Sequence, residues 1–283
     1  MCRDDRGVVL GLYRSHPDRD LLEHALSLGV CGIDTAYNYG GFTSHQQLAH
    51  VASDLLGQLT LSTKVGFFPG RDQAGKAVHS LEPNQLREAV ERSADQLGRP
   101  PDVVFLHNPE RSLSELSERA GGDCMVAACA VLADAVATGS CGQWGISSWD
   151  PRPVVMAVDA ATGDIKPDVL LLRAGLTVPA PILVASEELS RRVRIPPGHR
   201  WGMSPFGGSA RDAVWSTANL DSFLAQGQQP TAKQAAFRLA YELPPVARVA
   251  VGTSKADHLA ELVTATTLAV RETSIERYRQ LIS

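Results

Sequence analysis

Short runs of β-branched and apolar residues alternate with longer stretches of helical period along this whole chain, and that rhythm constrains the fold more than any other feature. The strand-like runs are Val8 to Leu12, Gly32 to Asp34, Leu59 to Lys64, Val103 to His107, Gln143 to Ser147, Asp168 to Arg173, Trp201 to Ser204 and Val249 to Val251. Between them lie helical segments such as Asp18 to Leu28, Pro83 to Leu97 with proline in its first turn, Met125 to Ala137 stopped at Gly139, and Lys255 to Leu268. Strands that each lead into a helix pair in parallel through right-handed crossovers. Eight such units in 283 residues suit a (β/α)8 TIM barrel, which needs about 250. The expected fold is α/β, one barrel domain over residues 1–283, with a doubly wound sheet as the alternative.

Composition enters where it limits partners. Lys plus Arg (27) against Asp plus Glu (31) gives −4, and with no basic cluster a nucleic-acid partner is not expected. The first residues, MCRDDRG, are charged where a secretory leader is apolar, and no uninterrupted apolar run approaches the length of a membrane span, so a cytoplasmic protein with no membrane partner is expected. Five cysteines (Cys2, Cys31, Cys124, Cys129 and Cys141) include no C-x-x-C pair and are expected to be reduced thiols, mostly buried. No metal site is expected, because no His, Cys, Asp and Glu set has ligand spacing.

Polar residues gather at strand ends. Asp34 ends the second run, Lys64 the third, His107 the fourth and Ser147 the fifth, and in a parallel barrel these ends converge on the rim that carries active sites. A buried lysine beside a carboxylate, a histidine and the nearby Tyr39 is a set whose mutual fields shift proton affinities. Each residue also has a bland reading: Asp34 as a helix cap, Lys64 as a solvated strand end, His107 as a core histidine. Segments 67–80, 110–122 and 205–230 are rich in glycine, serine and charge, and are expected to overhang the same rim. Phe42, Phe67, Phe68, Trp149 and Trp215 lie in or beside them and are candidates for a substrate pocket, although any could pack under its own loop.

The segment Gly29 to Gly40 (GVCGIDTAYNYG), Leu61 to Lys64 (LSTK) and Val104 to Pro109 (VFLHNP) resemble the segments that carry the catalytic Asp, Tyr, Lys and His of the aldo-keto reductases. Tyr37 has the wrong spacing for the tyrosine. The resemblance continues through Gly145 to Ser148 (GISS), Ser204 to Gly207 (SPFG) and Val251 to Glu261 (VGTSKADHLAE). It implies an NADP(H)-dependent oxidoreductase, with NAD(H) as the other option, that reduces an aldehyde or ketone to an alcohol or runs in reverse. In such an enzyme Tyr39 is the general acid, Lys64 tunes it, Asp34 holds Lys64, and His107 donates to the carbonyl oxygen. Ser147 and Ser148 would bind the carboxamide. Ser204, Pro205, Phe206, Gly207 and Gly208 would lie along the diphosphate, while Gly252, Thr253, Ser254, Lys255 and His258 would meet the adenosine phosphate at a helix start. The resemblance also implies a monomer acting on a small-molecule carbonyl or alcohol.

The chain departs from the family pattern at several places. Leu171 replaces the usual carboxamide-binding glutamine, Ala174 and Gly175 replace a Tyr-Asn pair, and Met203 takes the place of a stacking aromatic ring. His258 aligns with a phosphate-binding arginine, and Leu262 with an asparagine. Two other classes stay open: a lyase or aldolase barrel that uses Lys64 as a Schiff base, and a cofactor-binding regulatory barrel without turnover.

Overall fold

In a computed structural model the described residues are 7–13, 15–70 and 76–282. The chain runs β1 (Gly7–Gly11), α1 (Arg19–Ser27), β2 (Gly32–Asp34), α2 (Ser44–Ala52), β3 (Thr60–Val65), β4 (Phe67–Phe68), β5 (Val78–His79), α3 (Pro83–Leu97) and β6 (Val103–His107). It continues α4 (Glu110–Leu113), α5 (Glu118–Ala137), β7 (Gln143–Ser148), α6 (Arg152–Ala160), β8 (Val169–Arg173), α7 (Ala180–Arg192) and β9 (Arg200–Met203). The last elements are α8 (Val214–Thr217), α9 (Ala232–Leu239), β10 (Arg248–Val251), α10 (Ala256–Ala265) and α11 (Glu272–Ile282). Local chemistry sets the ends of these helices. Asp18 accepts the Leu21 amide at 2.9 Å to start α1, Glu82 and Pro83 start α3 and Gly98 at φ 71° stops it, and Thr231 with Gln234 forms a capping box on α9.

Eight strands close in the order β1-β10-β9-β8-β7-β6-β3-β2, every pair parallel. The sheet therefore closes into the barrel, not the doubly wound alternative. Alternation along the strands sends Val9, Val103, Phe105, Val169, Leu171, Trp201, Met203 and Ala250 into the barrel lumen as one buried cluster. Phe105 and Trp201 meet edge to face at 5.5 Å there. Gly145 makes room for them, since a Cβ at that position would lie 2.7 Å from the Phe105 ring and 2.3 Å from the Val169 carbonyl. The opposite faces of the strands, with Leu10, Ile33 and Leu61 on one side and Val104, Leu106 and Ile146 on the other, pack against the surrounding helices.

The element boundaries differ from the sequence expectation where glycine or backbone geometry carries an unexpected role. Helix α5 starts at Glu118, not Met125, with Ser117 as its cap. Gly121 and Gly122 are helical packing residues, and a Cβ on Gly122 would meet the Ala160 carbonyl at 2.8 Å. By length and mean hydropathy α5 would pass for a membrane span, although Glu118, Arg119, Asp123 and Asp134 interrupt it and leave the expectation of no uninterrupted apolar run in place. In this fold it lies on the barrel, with Met125, Ala128 and Leu132 buried in the core. Segment 67–80 carries the β4–β5 hairpin, paired Phe67 to His79 and Phe68 to Val78, with 71–75 outside the described residues. Strand β9 ends at Met203 because Ser204 turns out of it at φ 57°. Cys124, Cys129 and Cys141 are free, but Cys31 is disulfide-bonded, which corrects the reduced-thiol expectation for that residue. Cys2 lies outside the described residues.

Candidate active site

Asp34, at the end of β2, and Lys64, near the end of β3, are both buried at the C-terminal mouth of the barrel, and the Lys64 Nζ donates to Asp34 Oδ2 at 2.5 Å and to the Thr35 carbonyl at 2.8 Å. Ser62 donates to the other Asp34 oxygen at 2.8 Å, so the carboxylate is held at both ends. Past β2 the chain makes a tight turn through Tyr39, Gly40 and Gly41, both glycines at positive φ. That turn brings the Tyr39 hydroxyl 3.5 Å from Lys64 Nζ, with the ammonium 5.1 Å from the ring centroid. Because the lysine donates to the phenol oxygen, the tyrosine's own proton is free to point elsewhere.

Burial alone works to lower the Lys64 proton affinity, and the charges of Asp34 and Tyr39 outweigh it, so the ammonium is held above its ordinary range. Tyr39 is pushed up: burial disfavours the phenolate, and Lys64 offsets this only in part. The sequence expectation that Lys64 would tune the phenol downward therefore meets a larger opposing effect of desolvation.

His107 ends β6, its ring 6.1 Å from Tyr39 at a steep angle and 4.9 Å from Phe67. Burial, with Lys64 and His79 adding to it, holds His107 well below its ordinary range, so the ring stays neutral. The hairpin braces it from behind, with His79 Nε2 2.8 Å from the His107 carbonyl and His79 Nδ1 2.8 Å from Ser112 Oγ. Tyr37, by contrast, is buried away from this set against Phe42 and Phe68. Of the candidate pocket aromatics, Phe67 and Trp149 are at the mouth, whereas Phe42, Phe68 and the buried Trp215 pack under their own loops.

Three buried polar atoms at the ends of β6 and β7 have no hydrogen-bond partner among the described residues: His107 Nδ1, Asn108 Oδ1 and Ser147 Oγ. His107 and Ser147 are register partners. Unpaired polar atoms in so dry a place call for a polar ligand, and a carboxamide or carbonyl group fits them. Ser148 is different, since its hydroxyl is engaged by Glu110 at 2.9 Å. Glu110, which the sequence reading passed over, is a buried carboxylate that also accepts the Trp149 and Asp150 amides at 2.7 and 3.2 Å. Burial raises its proton affinity despite those bonds. An acid three residues beyond the histidine, at the start of a short helix, was the available signal.

At the other end of the mouth, Ser204 to Gly208 form a tight turn with Gly207 N bonded to the Ser204 carbonyl at 2.9 Å. Gly207 and Gly208 are exposed at positive φ, so backbone alone faces the solvent there. Phe206 instead anchors the turn by packing on Trp215 and Phe237. Gly252, Ser254, Lys255 and His258 are exposed around the start of α10, and Thr253 Oγ1 accepts the Lys255 amide at 3.1 Å. Asp257 is exposed as well, while Leu262 turns into the core and does not share that face.

The closed parallel barrel with an Asp-Lys-Tyr-His cluster at its C-terminal mouth defines a class of barrel built for chemistry at that rim. The sequence profile of the Aldo/keto reductase family matches residues 16–174. The chain belongs to that family of oxidoreductases. Among solved structures it is similar to an aldo-keto reductase of Bacillus halodurans in its holo form, at 19% identity and TM-score 0.72, over 98% of this chain and 91% of that one. A putative aldo-keto reductase of Pseudomonas aeruginosa matches at 22% and 0.65, over 93% and 92%. One of Klebsiella pneumoniae in complex with NADPH matches at 15% and 0.68, over 98% and 90%. No curated protein matches the sequence.

Proposed function

We propose that the chain is an NADP(H)-dependent carbonyl reductase, converting an aldehyde or ketone to an alcohol or running the reverse. The observation that carries this reading is the position of Lys64 Nζ between Asp34 and the Tyr39 hydroxyl, with a neutral His107 ring beside them. A bound nicotinamide supplies the hydride for such a reaction. Tyr39 passes its proton to the carbonyl oxygen as negative charge grows there, and the ammonium of Lys64 steadies the phenolate left behind. His107 donates one N–H to the same oxygen and fixes how the carbonyl lies.

The unpartnered Ser147 hydroxyl and Asn108 oxygen suit a carboxamide, the bare glycine turn at Gly207 and Gly208 suits a diphosphate, and Thr253, Ser254, Lys255 and His258 suit an adenosine phosphate. NADPH is expected to be preferred over NADH by about 10- to 100-fold, as one charge-assisted contact of ~1.5 to 3 kcal/mol would give. That the Klebsiella relative is in complex with NADPH supports the choice. The Schiff-base alternative is disfavoured because an ammonium held by Asp34 and the Thr35 carbonyl is a poor nucleophile.

Assaying a panel of aldehydes and ketones with NADPH and NADH, following cofactor absorbance, tests the reading. Turnover of at least one carbonyl is expected. A complete lack of turnover, together with borohydride trapping of a substrate on Lys64, would replace it with the lyase.

A further inference from the structure

Arg173, the last residue of β8, lies on the same strand face as Val169 and Leu171, which fill the lumen, so alternation turns it inward at the mouth. The register sets Leu171 beside Ser147, Leu172 beside Ser148 and Arg173 beside Met203. A cation therefore overhangs the level of Ser147 and His107 by two residues, two strand spacings or roughly 10 Å across from His107. Its guanidinium carbon sits 5.1 Å from the centroid of the Trp149 ring. A cation over an aromatic face is attracted by the ring without using up the guanidinium's N–H donors. Among the described residues no hydrogen bond or close ion pair takes those donors. Asp150 attracts Arg173 through space, but both Asp150 carboxylate oxygens are already engaged by Arg152, at 2.8 and 2.6 Å. By contrast, the partly buried Arg99 and Arg200 and the fully buried Arg238 each donate to backbone carbonyls. Arg173 has lost part of its hydration with no acceptor in exchange, and burial depresses its proton affinity accordingly.

We propose that Arg173 and Trp149 form an anion subsite on the rim, with the in-plane donors of Arg173 binding a carboxylate or phosphate group of the ligand seated over Ser147. The inference rests on the proposed function for where that ligand sits. Two ligands bring such a group: the diphosphate of the dinucleotide, or an acidic carbonyl compound whose carboxylate is held away from the reacting carbon.

Calorimetric titration of the wild type, Arg173→Gln and Arg173→Lys separates these. NADPH is titrated first, then para-carboxybenzaldehyde and the neutral para-tolualdehyde against the NADP+ complex. Arg173→Gln is expected to weaken NADPH or para-carboxybenzaldehyde about tenfold or more while leaving para-tolualdehyde unchanged, as loss of one charge-assisted contact predicts. Arg173→Lys, which keeps the charge and loses the planar fork, should recover only part. A loss confined to NADPH assigns the anion to the diphosphate, and one confined to para-carboxybenzaldehyde assigns it to the substrate. If neither aldehyde binds the wild type, the NADPH titration decides. Affinities unchanged within about twofold for both anionic ligands, or an equal loss for para-tolualdehyde, would overturn the subsite. A wild type that turns over neutral aldehydes but shows no dependence on Arg173 sinks this inference alone, whereas a wild type that does not bind NADPH removes the proposed function and this subsite with it.

Discussion

Tyr39 is the residue on which the proposed chemistry turns, and the direction of its proton affinity makes a pH prediction. Burial holds the phenol protonated to higher pH than free tyrosine, whose value is about 10. Carbonyl reduction, which uses the protonated phenol, should be flat through the neutral range and fall only in strong alkali. Alcohol oxidation, which uses the phenolate, should climb with pH over the same range. Profiles of kcat/KM in both directions check this, and a reduction limb that falls below about pH 8 would show that another group supplies the proton. Tyr37→Phe should be mild, because Tyr37 packs on Phe42 and Phe68 and not on Lys64. His45 yields a stability prediction. It lies buried with Nε2 2.8 Å from Thr63 Oγ1, and burial pulls it from 6.5 to about 4. The folded chain therefore binds fewer protons than the unfolded one between those values. The stabilising effect is complete above about pH 6.5 and lost as pH falls toward 4, by about 3 kcal/mol at about 1.4 kcal/mol per pH unit. Denaturation midpoints for the wild type and His45→Gln across that range should diverge, with the variant flatter; parallel slopes would contradict the assignment.

At the level of elements, the end of β7 depends on Glu110. Its carboxylate receives the Ser148 hydroxyl and the Trp149 and Asp150 amides, so Glu110→Ala strands three polar groups at once. We expect it to lower stability by about 2 to 3 kcal/mol, with Glu110→Gln losing less because one acceptor oxygen stays. Thermal melts of both variants check the order. The motif residues were legible in the sequence because Asp34, Lys64 and His107 lie at or near strand ends, and Tyr39 in the turn just after one, where neighbouring residues spell a local pattern. Glu110 was not, because its partners come from the next strand. Gly121 and Gly122 suggested a loop, but their lack of a side chain serves the close approach of α5 and α6. Likewise the turn at Ser204 is a backbone event that no side-chain period announces, and Leu262 aligned with a ligand-facing position although the face of α10 it occupies is buried.

For the whole molecule, the repeat of strand and helix made a barrel the first expectation and a doubly wound sheet the alternative, and the closed strand order decides between them. The repeat was not enough to name the ligand. Ligand choice rests on rim residues brought together from different strands, with Arg173 from β8 and Trp149 just beyond β7 meeting only once the barrel has closed. Among the described residues no cluster of His, Cys, Asp or Glu could hold a metal, so activity should survive dialysis against a chelator. Loss that zinc or magnesium restores would require another mechanism.

The central claim is that Tyr39 gives the proton while hydride reaches the carbonyl carbon, and single-turnover oxidation of bound NADPH by an aldehyde the wild type reduces tests it most directly. Tyr39→Phe should slow that step by a factor of about a hundred or more, as should Lys64→Met, with NADPH affinity nearly unchanged in Tyr39→Phe. A Tyr39→Phe enzyme that keeps its single-turnover rate within about tenfold of the wild type would contradict the account.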